Sequence, residues 1–359
     1  MMFNYKILRD AGALEGKRVF AVADLNVPLH DGRVVDDYRI ARSKKTMDFL
    51  QEKGARTLLV SHRTDESESL FPVYEVLKKQ HNVIFAKTIE GAKIVLEQAN
   101  NGTFVMLENI RQFSGEKEND EKFAKTLAGL ADIYVNEAFS ASHRAHASIV
   151  GVPRFLPHYA GFLFEEEVQN LSKAFSPAHP FLFILGGAKT ETKLPILKKF
   201  LSIADTVFAG GVLANDIFKA RGEPIGESRV SSTAFPDFLL HNPKLRVPRD
   251  VVRSGDRIVD AGEKTVAEIR TSARDAKLVV WNGPFGEYER GFTAGTEEVA
   301  RALAESGAET IVGGGDTLAV VSKLGLLERF SFVSTAGGAM LQFLADGTLP
   351  GIEALRIKN

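Results

Sequence analysis

Cysteine is missing from this 359-residue sequence, which excludes disulfide bonds, thiolate metal ligands and a cysteine nucleophile. No apolar run reaches membrane-spanning length, and the first ten residues mix charged with apolar side chains, so they lack the core of a signal peptide. The net charge of -1 provides no overall field for binding nucleic acid or a membrane surface. We therefore expect a cytoplasmic protein without nucleic-acid or membrane partners, in which anion binding depends on local clusters of charge.

Three common signature motifs are absent as well. The Walker pattern Gly-x-x-x-x-Gly-Lys-Ser/Thr does not occur, so any phosphate site is of another kind. Gly-x-Gly-x-x-Gly and Gly-x-Ser-x-Gly are also missing, which argues against a dinucleotide dehydrogenase and an α/β-hydrolase.

The length and the pattern of apolar residues predict two α/β domains. A chain of 359 residues is too long for one ordinary core, and 44% hydrophobic with 25% charged residues is typical of globular proteins. Short apolar runs alternate with amphipathic stretches in both halves, which predicts parallel sheets covered by helices. Two prolines in residues 176–180 mark a boundary, and the preceding helical stretch, residues 165–175, is a candidate connector.

Polar side chains follow the predicted strands of the first half, where the carboxyl ends of parallel strands meet. They are Asp24, Asn26, His62, Arg63, Arg111, His143 and Arg144, and Arg39 at a helix start is a further member. Each alone fits an ordinary surface residue, but their recurrence favours a pocket for a small, multiply charged anion. His143 and His146 lack a nearby carboxylate or cysteine, so a metal pair is disfavoured. The charged run at residues 116–121 is expected to be a solvated loop.

The second half is organised around FLFILGGAKTETK, residues 181–193. Five apolar residues predict a strand buried on both faces, and Gly186 and Gly187 permit a tight turn and close approach of a ligand. The helix that follows carries Lys189 and Lys193 four residues apart, on one side. This arrangement suits phosphate binding at a helix N-terminus, although an ordinary turn with surface lysines would look similar.

Glycine-rich segments follow four strands of the second half and precede helices. They begin at Gly210-Gly211, WNGPFGEYE (281–289), GGGDT (313–317) and STAGGAM (334–340). Repeated glycine-rich strand ends favour an extended ligand lying close to backbone amides, with phosphates at helix starts. Asp316 is suited to Mg²⁺ bound together with phosphates, and it is equally suited to capping the next helix.

Taken together, these segments resemble the phosphoglycerate kinase family over almost the whole chain. The resemblance rests on DLNVP (24–28), Arg39, Ser61-His62, ENIR (108–111), HRAH (143–146), LGGAK (185–189) with Lys193, WNGP (281–284) with Glu289, GGGDT (313–317) and the ST-GG-A pattern (334–339). Their shared order and spacing make the resemblance specific.

The resemblance implies an enzyme of two Rossmann-like three-layer α/β domains with parallel sheets, joined by a hinge helix. It implies a phosphoglycerate-binding domain (1–163), a hinge helix and nucleotide-binding domain (164–338), and a tail packing back on the first domain (339–359). The implied activity is reversible, Mg²⁺-dependent phosphoryl transfer from 1,3-bisphosphoglycerate to ADP. We expect a monomer.

The resemblance also implies roles for individual residues. Those implied to bind phosphoglycerate are Asp24, Asn26, Arg39, His62, Arg63, Arg111, His143 and Arg144. Those implied to bind ADP or ATP are Gly186, Lys193, Gly211, Asn282, Pro284, Glu289, Gly313, Gly314, Gly315, Asp316 and Thr317, with Asp316 holding the metal. Arg39, Lys189, Gly337 and Gly338 are implied to stabilise the transferring phosphoryl group.

The chain departs from the family pattern at five positions. They are Val22, Asp65, Glu137, Ser140 and Ala336, where the family usually has Arg, Arg, Asp, Gly and Gly. Asp65 exchanges a cation for an anion near a charged substrate, and Arg63 is a candidate substitute. Two alternatives therefore remain, a non-catalytic nucleotide-binding protein and a kinase for another small carboxylate or phosphorylated acid.

Overall fold

The computed structural model describes residues 4–232 and 234–357, and it divides into two compact units. Unit 1 contains the residues up to Val168 and those from Thr348 onward, and unit 2 runs from Gln169 to Gly347. The chain first crosses between them within one helix, Phe162–Ser172, which a short 3₁₀ turn at Lys173–Phe175 extends.

Unit 1 contains a six-stranded parallel sheet in the order β5-β6-β4-β1-β7-β8 and a small hairpin of β2 and β3. The strands are β1 Arg18–Val22, β2 Leu29–His30, β3 Arg33–Val34, β4 Arg56–Val60, β5 Val83–Ala86, β6 Phe104–Leu107, β7 Ile133–Asn136 and β8 His158–Ala160. Strands β6 and β7 are buried along their whole length because helices cover both faces of the sheet.

Amphipathic spacing and local caps account for the helices of unit 1. They are α1 Tyr38–Glu52, α2 Phe71–Leu77, α3 Ile89–Gln98, α4 Glu121–Ala128 and α5 Phe162–Ser172. Helix α1 buries Ile40, Met47 and Leu50 on one side. Thr88 and Asp120 cap α3 and α4, because each side-chain oxygen accepts a backbone N–H of the first turn.

Unit 2 repeats this architecture with a parallel sheet in the order β11-β10-β9-β14-β15-β16 and an antiparallel hairpin of β12 and β13. Its strands are β9 Phe181–Leu185, β10 Thr206–Ala209, β11 Leu245–Arg246, β12 Val251–Ser254, β13 Arg257–Ala261, β14 Leu278–Asn282, β15 Glu309–Gly313 and β16 Phe332–Ser334. Strands β9 and β14 lie at the centre, and every residue in them is buried. The prediction of α/β units with parallel sheets is confirmed.

Of the seven helices described in unit 2, six connect these strands and α12 follows the last strand. They are α6 Thr190–Ile203, α7 Gly211–Ala220, α8 Asp237–Leu240, α9 Glu263–Asp275, α10 Ala294–Ala304, α11 Gly315–Lys323 and α12 Gly337–Asp346. Among the described residues, no helix is both long enough and apolar enough to cross a bilayer.

The last stretch of the chain is shared between the two units. Helix α12 belongs to unit 2, where its Leu344 and Ala345 carbonyls accept hydrogen bonds from Lys199 on α6, at 2.8 and 2.9 Å. Helix α13, Pro350–Ala354, belongs to unit 1, where Gly351 N–H donates to the Ser142 carbonyl at 2.9 Å. The tail expected from residue 339 therefore joins unit 1 only from Thr348, because α12 is held against α6.

Candidate functional site

The strand order of unit 1 brings its predicted anion-binding residues to one edge of the sheet. Strands β6, β4, β1 and β7 are neighbours and all parallel, so the segments after their carboxyl ends lie side by side. Asp24 and Asn26 follow β1, His62 follows β4, Arg111 follows β6, and His143 and Arg144 follow β7. We call these residues, with Arg39 at the start of α1, the cationic cluster.

Asp24 is the buried carboxylate of the cationic cluster, with 4% of its surface exposed. Arg39 Nη1 donates to its Oδ2 at 2.6 Å, and Asn26 N–H donates to its Oδ1 at 3.1 Å. Ser140 Oγ donates to Oδ2 as well. Burial opposes ionisation, but Arg39, His62 and the Ser140 hydroxyl together hold the pKa of Asp24 below its usual value.

Burial, and after it the positive charge of the cluster, suppresses protonation of its histidines. Burial, and then repulsion from Arg111, Arg144 and Arg39, lowers the pKa of His62 to about 3, although Asp24 opposes the shift. Burial and Arg144 likewise lower the pKa of Arg111 to about 10, so this guanidinium stays charged at neutral pH. Because its arginines stay positively charged, the site is suited to binding an anion.

Arg111 carries a donor that no group among the described residues satisfies. Its Nη1 donates to the Arg63 carbonyl at 3.0 Å and its backbone N–H donates to Asn109 Oδ1 at 3.2 Å. Within the part of the chain that the structure describes, its Nε is buried and has no hydrogen-bond partner. Buried donors are nearly always paired, so this one indicates a position for a ligand oxygen.

Arg63 does not extend freely into the cluster. Its side chain is buried, where Nη1 donates to the Val27 carbonyl and Nη2 lies 2.8 Å from a Glu68 carboxylate oxygen. Asp65 is exposed, and its carboxylate accepts hydrogen bonds from Ser67. Arg63 therefore stabilises the loop after β4. Its bonds to Val27 and Glu68 compete with the role expected for it, which was to replace an arginine at position 65 in binding the substrate.

Glu116 lies in the run expected to be solvated, and that expectation is wrong for this residue, which is 1% exposed. Its Oε2 accepts Ser148 N–H at 2.9 Å, its Oε1 accepts Ser148 Oγ at 2.6 Å, and His146 Nδ1 lies 3.8 Å away. Its carboxylate also interacts with Arg111. Two donors and nearby positive charge allow a carboxyl group to be buried, and the charge pattern of the sequence contains no signal for that.

Glu116 gives the first prediction, a pH-dependent stability. Burial raises the pKa of Glu116 from 4.5 to about 7, against the Ser148 bonds and Arg111. The folded state therefore binds more protons than the unfolded state between these values, so this group's contribution to the free energy of unfolding falls as pH rises through that window. Replacing Glu116 by Gln removes the titration. Between pH 5 and pH 8 we expect the free energy of unfolding of the variant to rise by on the order of 3 kcal/mol relative to that of wild type.

Urea unfolding followed by circular dichroism at several pH values measures this gain. Glu90→Gln is the matched control, because Glu90 is an exposed glutamate of the same unit. A difference in the free energy of unfolding between wild type and Glu116→Gln that stays constant across the pH range would contradict the prediction.

In unit 2 the turn after β9 requires glycine, because other backbone segments pass close to it. Gly186 N–H donates to the Asn282 carbonyl at 2.9 Å, and Gly187 N–H donates to the Pro284 carbonyl at 2.7 Å. A Cβ on Gly186 would lie 2.4 Å from that Pro284 carbonyl oxygen, and a Cβ on Gly211 would lie 2.6 Å from Gly187 N. These glycines therefore allow three strand ends to converge.

Lys193 lies beneath this turn, where it is 5% exposed and donates to the Gly186 carbonyl. Burial, and then repulsion from Lys189, lowers its pKa to about 8, although Asp316 raises it. Lys189 is the N-cap residue of α6 and is exposed. Lys193, Lys189 and the carboxylate of Asp316 on α11 therefore influence one another near the start of α6, where backbone N–H groups favour an anion.

A pocket opens beside these residues. Of the residues implied to bind nucleotide, Gly211, Pro284, Glu289 and Asp316 line it directly. Asn215, Arg229 and Arg257 also line it, and no motif in the sequence pointed to them.

The remaining residues implied to bind nucleotide are not among those that line the pocket. Thr317 Oγ1 accepts Gly283 N–H at 3.0 Å, and Asn282 Nδ2 lies 3.5 Å from Met340 Sδ. Gly313 ends β15, Gly314 adopts a φ of 102°, and Gly315 starts α11. Gly337 and Gly338 open the first turn of α12, where backbone N–H groups lack helical acceptors and favour an anion.

The donor set at the pocket fits Mg²⁺ only in company with phosphates. No group of three or more histidine, aspartate or glutamate side chains that could hold a metal occurs in residues 4–232 and 234–357. Asp316 is an exposed carboxylate in the first turn of α11, beside Lys193. Because Mg²⁺ is commonly held by one or two carboxylates plus substrate phosphates and water, Asp316 fits it in that mode.

Comparison with known proteins gives one consistent family. The family model described as phosphoglycerate kinase matches residues 8–347. The phosphoglycerate kinase of Methylorubrum extorquens (strain PA1) is 37% identical, with 100% of both chains covered. That of Pelotomaculum thermopropionicum is 38% identical, covering 98% of each chain. Solved phosphoglycerate kinase structures from Coxiella burnetii and Pyrococcus horikoshii OT3 superpose with TM-scores of 0.83 and 0.85 at 35% and 30% identity, each covering 98% of both chains.

Proposed function

The chain belongs to the phosphoglycerate kinase family, and from this premise we propose how its two sites divide the substrates. The chain is an enzyme, a phosphotransferase with a carboxyl group as acceptor. It transfers a phosphoryl group reversibly between 1,3-bisphosphoglycerate and ADP, a step of glycolysis and gluconeogenesis. In our proposal the cationic cluster of unit 1 binds 3-phosphoglycerate or 1,3-bisphosphoglycerate, and the pocket of unit 2 binds ADP or ATP with Mg²⁺.

The buried, unpartnered Nε of Arg111 is the observation that carries the first assignment. A phosphate oxygen would satisfy it, while Arg144 and Arg39 supply further charge-assisted donors. Asp24 can only accept hydrogen bonds, so it would repel phosphate and carboxylate and accept the substrate's hydroxyl group. One acceptor within a cationic cluster therefore matches the phosphate, carboxylate and hydroxyl groups of 3-phosphoglycerate.

Support for the nucleotide assignment comes from the glycine-lined walls and the charges beside them. Backbone without Cβ atoms lets phosphates approach the N–H groups at the starts of α6, α11 and α12. Lys193 would neutralise phosphate charge, and Glu289 at the rim could accept hydrogen bonds from ribose hydroxyls.

Catalysis would rely on positioning and on charge stabilisation, without a covalent enzyme intermediate. Lys189 and the amides of Gly337 and Gly338 would hold the equatorial oxygens of the transferring phosphoryl group, and Arg39 would bind the phosphoglycerate within the cationic cluster. Mg²⁺ held by Asp316 and the nucleotide phosphates would supply further neutralisation of the phosphate charge. We also propose that the enzyme acts as a cytoplasmic monomer.

The experiment that tests this proposal is a coupled assay of ATP consumption. We expect consumption that requires both 3-phosphoglycerate and Mg²⁺, and that is not supported by a panel of other small carboxylic and phosphorylated acids. ATP binding without turnover would instead identify a non-catalytic nucleotide-binding protein. Faster turnover of another acid would identify a kinase of different specificity.

A further inference from the structure

Ser140 connects the acceptor of the cationic cluster to one of its histidines. It lies in the 3₁₀ turn Phe139–Ala141 that follows β7, and it is half-buried. Its Oγ donates to Asp24 Oδ2, the same oxygen that receives Arg39 Nη1. Its backbone carbonyl accepts the His143 Nδ1–H at 3.0 Å.

The two oxygens of Asp24 are therefore used unequally. Oδ2 accepts hydrogen bonds from two side chains, those of Arg39 and Ser140, and both bonds would break if the carboxylate rotated. Oδ1 receives only the backbone N–H of Asn26, at 3.1 Å, among the bonds described for it. Oδ1 is thus the oxygen with acceptor capacity left for a ligand hydroxyl.

We propose that Ser140 is a positioning residue that fixes the Asp24 carboxylate so that Oδ1 accepts the hydroxyl group of the substrate. This inference rests on the proposed binding of 3-phosphoglycerate in the cationic cluster. Ser140 touches no reacting atom in this role; it makes the site selective for a phosphorylated acid that carries a hydroxyl group next to the carboxylate.

The strength of the Ser140 hydrogen bond determines how much its removal should change the KM for 3-phosphoglycerate. A hydrogen bond to a charged group is stronger than one between neutral groups, and a bond that only orients its partner transmits part of that stabilisation to the ligand. Ser140→Ala keeps the Arg39 and Asn26 bonds but removes one of the two side-chain donors that fix the orientation of the carboxylate. We expect the KM for 3-phosphoglycerate to rise about tenfold, with kcat changed by less than about twofold.

The test compares 3-phosphoglycerate with 3-phosphooxypropanoate, which has the same phosphate and carboxylate but lacks the hydroxyl group. Its inhibition constant against 3-phosphoglycerate reports binding even where it is not turned over. In wild type we expect 3-phosphoglycerate to bind more tightly than this analogue. Ser140→Ala should weaken the binding of 3-phosphoglycerate but not that of the analogue, so the ratio of the analogue's inhibition constant to the KM for 3-phosphoglycerate should fall. Ser140→Thr keeps the hydroxyl donor and should restore this ratio.

Ser67→Ala is the matched control, because Ser67 Oγ donates to Asp65 at 2.7 Å in the same kind of serine–aspartate pair on an exposed loop. Ser67→Ala should leave both the KM for 3-phosphoglycerate and the inhibition constant of the analogue unchanged. Equal weakening of both compounds in Ser140→Ala, or no change in either, would overturn the role of Ser140. A wild type that consumes no ATP with 3-phosphoglycerate would overturn the proposed function itself, so the two failures are distinguishable.

Discussion

Replacing Lys189 by alanine is expected to lower kcat by at least about 100-fold and to leave the melting temperature unchanged. Lys189 is exposed at the N-cap of α6, and none of the ion pairs formed among the described residues includes it, so its removal leaves no internal group unpaired. If its ammonium group stabilises charge that develops during transfer, the loss falls on kcat more than on the KM for ATP. Steady-state kinetics and a thermal melt measure both quantities.

Lys198→Ala is the matched control for this change. Lys198 is an exposed lysine of the same helix, and its ammonium lies 5.6 Å from the ring centre of Phe238. This variant should keep wild-type kcat. Turnover of Lys189→Ala within about threefold of wild type would remove Lys189 from the catalytic set. A large rise in KM at unchanged kcat would make it a binding residue instead.

Replacing Asp316 by asparagine is the second change with a large expected effect. The exposed carboxylate is the one charge that the first turn of α11 offers to a cation. Its loss should reduce kcat/KM for ATP by about 100-fold or more and raise the Mg²⁺ concentration needed for half-maximal rate. Because Asp316 attracts the ammonium of Lys193, the variant should also lower the pKa of that lysine further.

Titration of activity with Mg²⁺ at fixed ATP measures this effect, and Glu328→Gln, at an exposed acid of the same unit, serves as control. An unchanged Mg²⁺ requirement in Asp316→Asn would show that the residue does not hold the metal. The fold should survive, because the side chain is exposed and no side-chain cap bond is formed at this helix start.

The sequence predicted most of the sheet strands because buried parallel strands leave uninterrupted apolar runs. Val19 to Ala23 and Phe181 to Leu185 are such runs, and they coincide closely with β1 and β9. It also predicted the edge at which polar residues gather, since this follows from strand direction alone. The glycines after β9 and β15 were recognisable as turns, but the carbonyls that pass against Gly186 were not.

What the sequence determined by itself was the alternation of strands and helices, the two-fold repetition of that pattern, and the residue types placed at each strand end. These follow from local periodicity and from the chemistry of single side chains. Only the tertiary structure decided that Glu116 is buried against Ser148, that Arg63 donates to the Val27 carbonyl, and that Ser140 donates to Asp24. Those outcomes depend on contacts between residues far apart in the chain, up to 116 positions for Ser140 and Asp24, and no local pattern records such a contact.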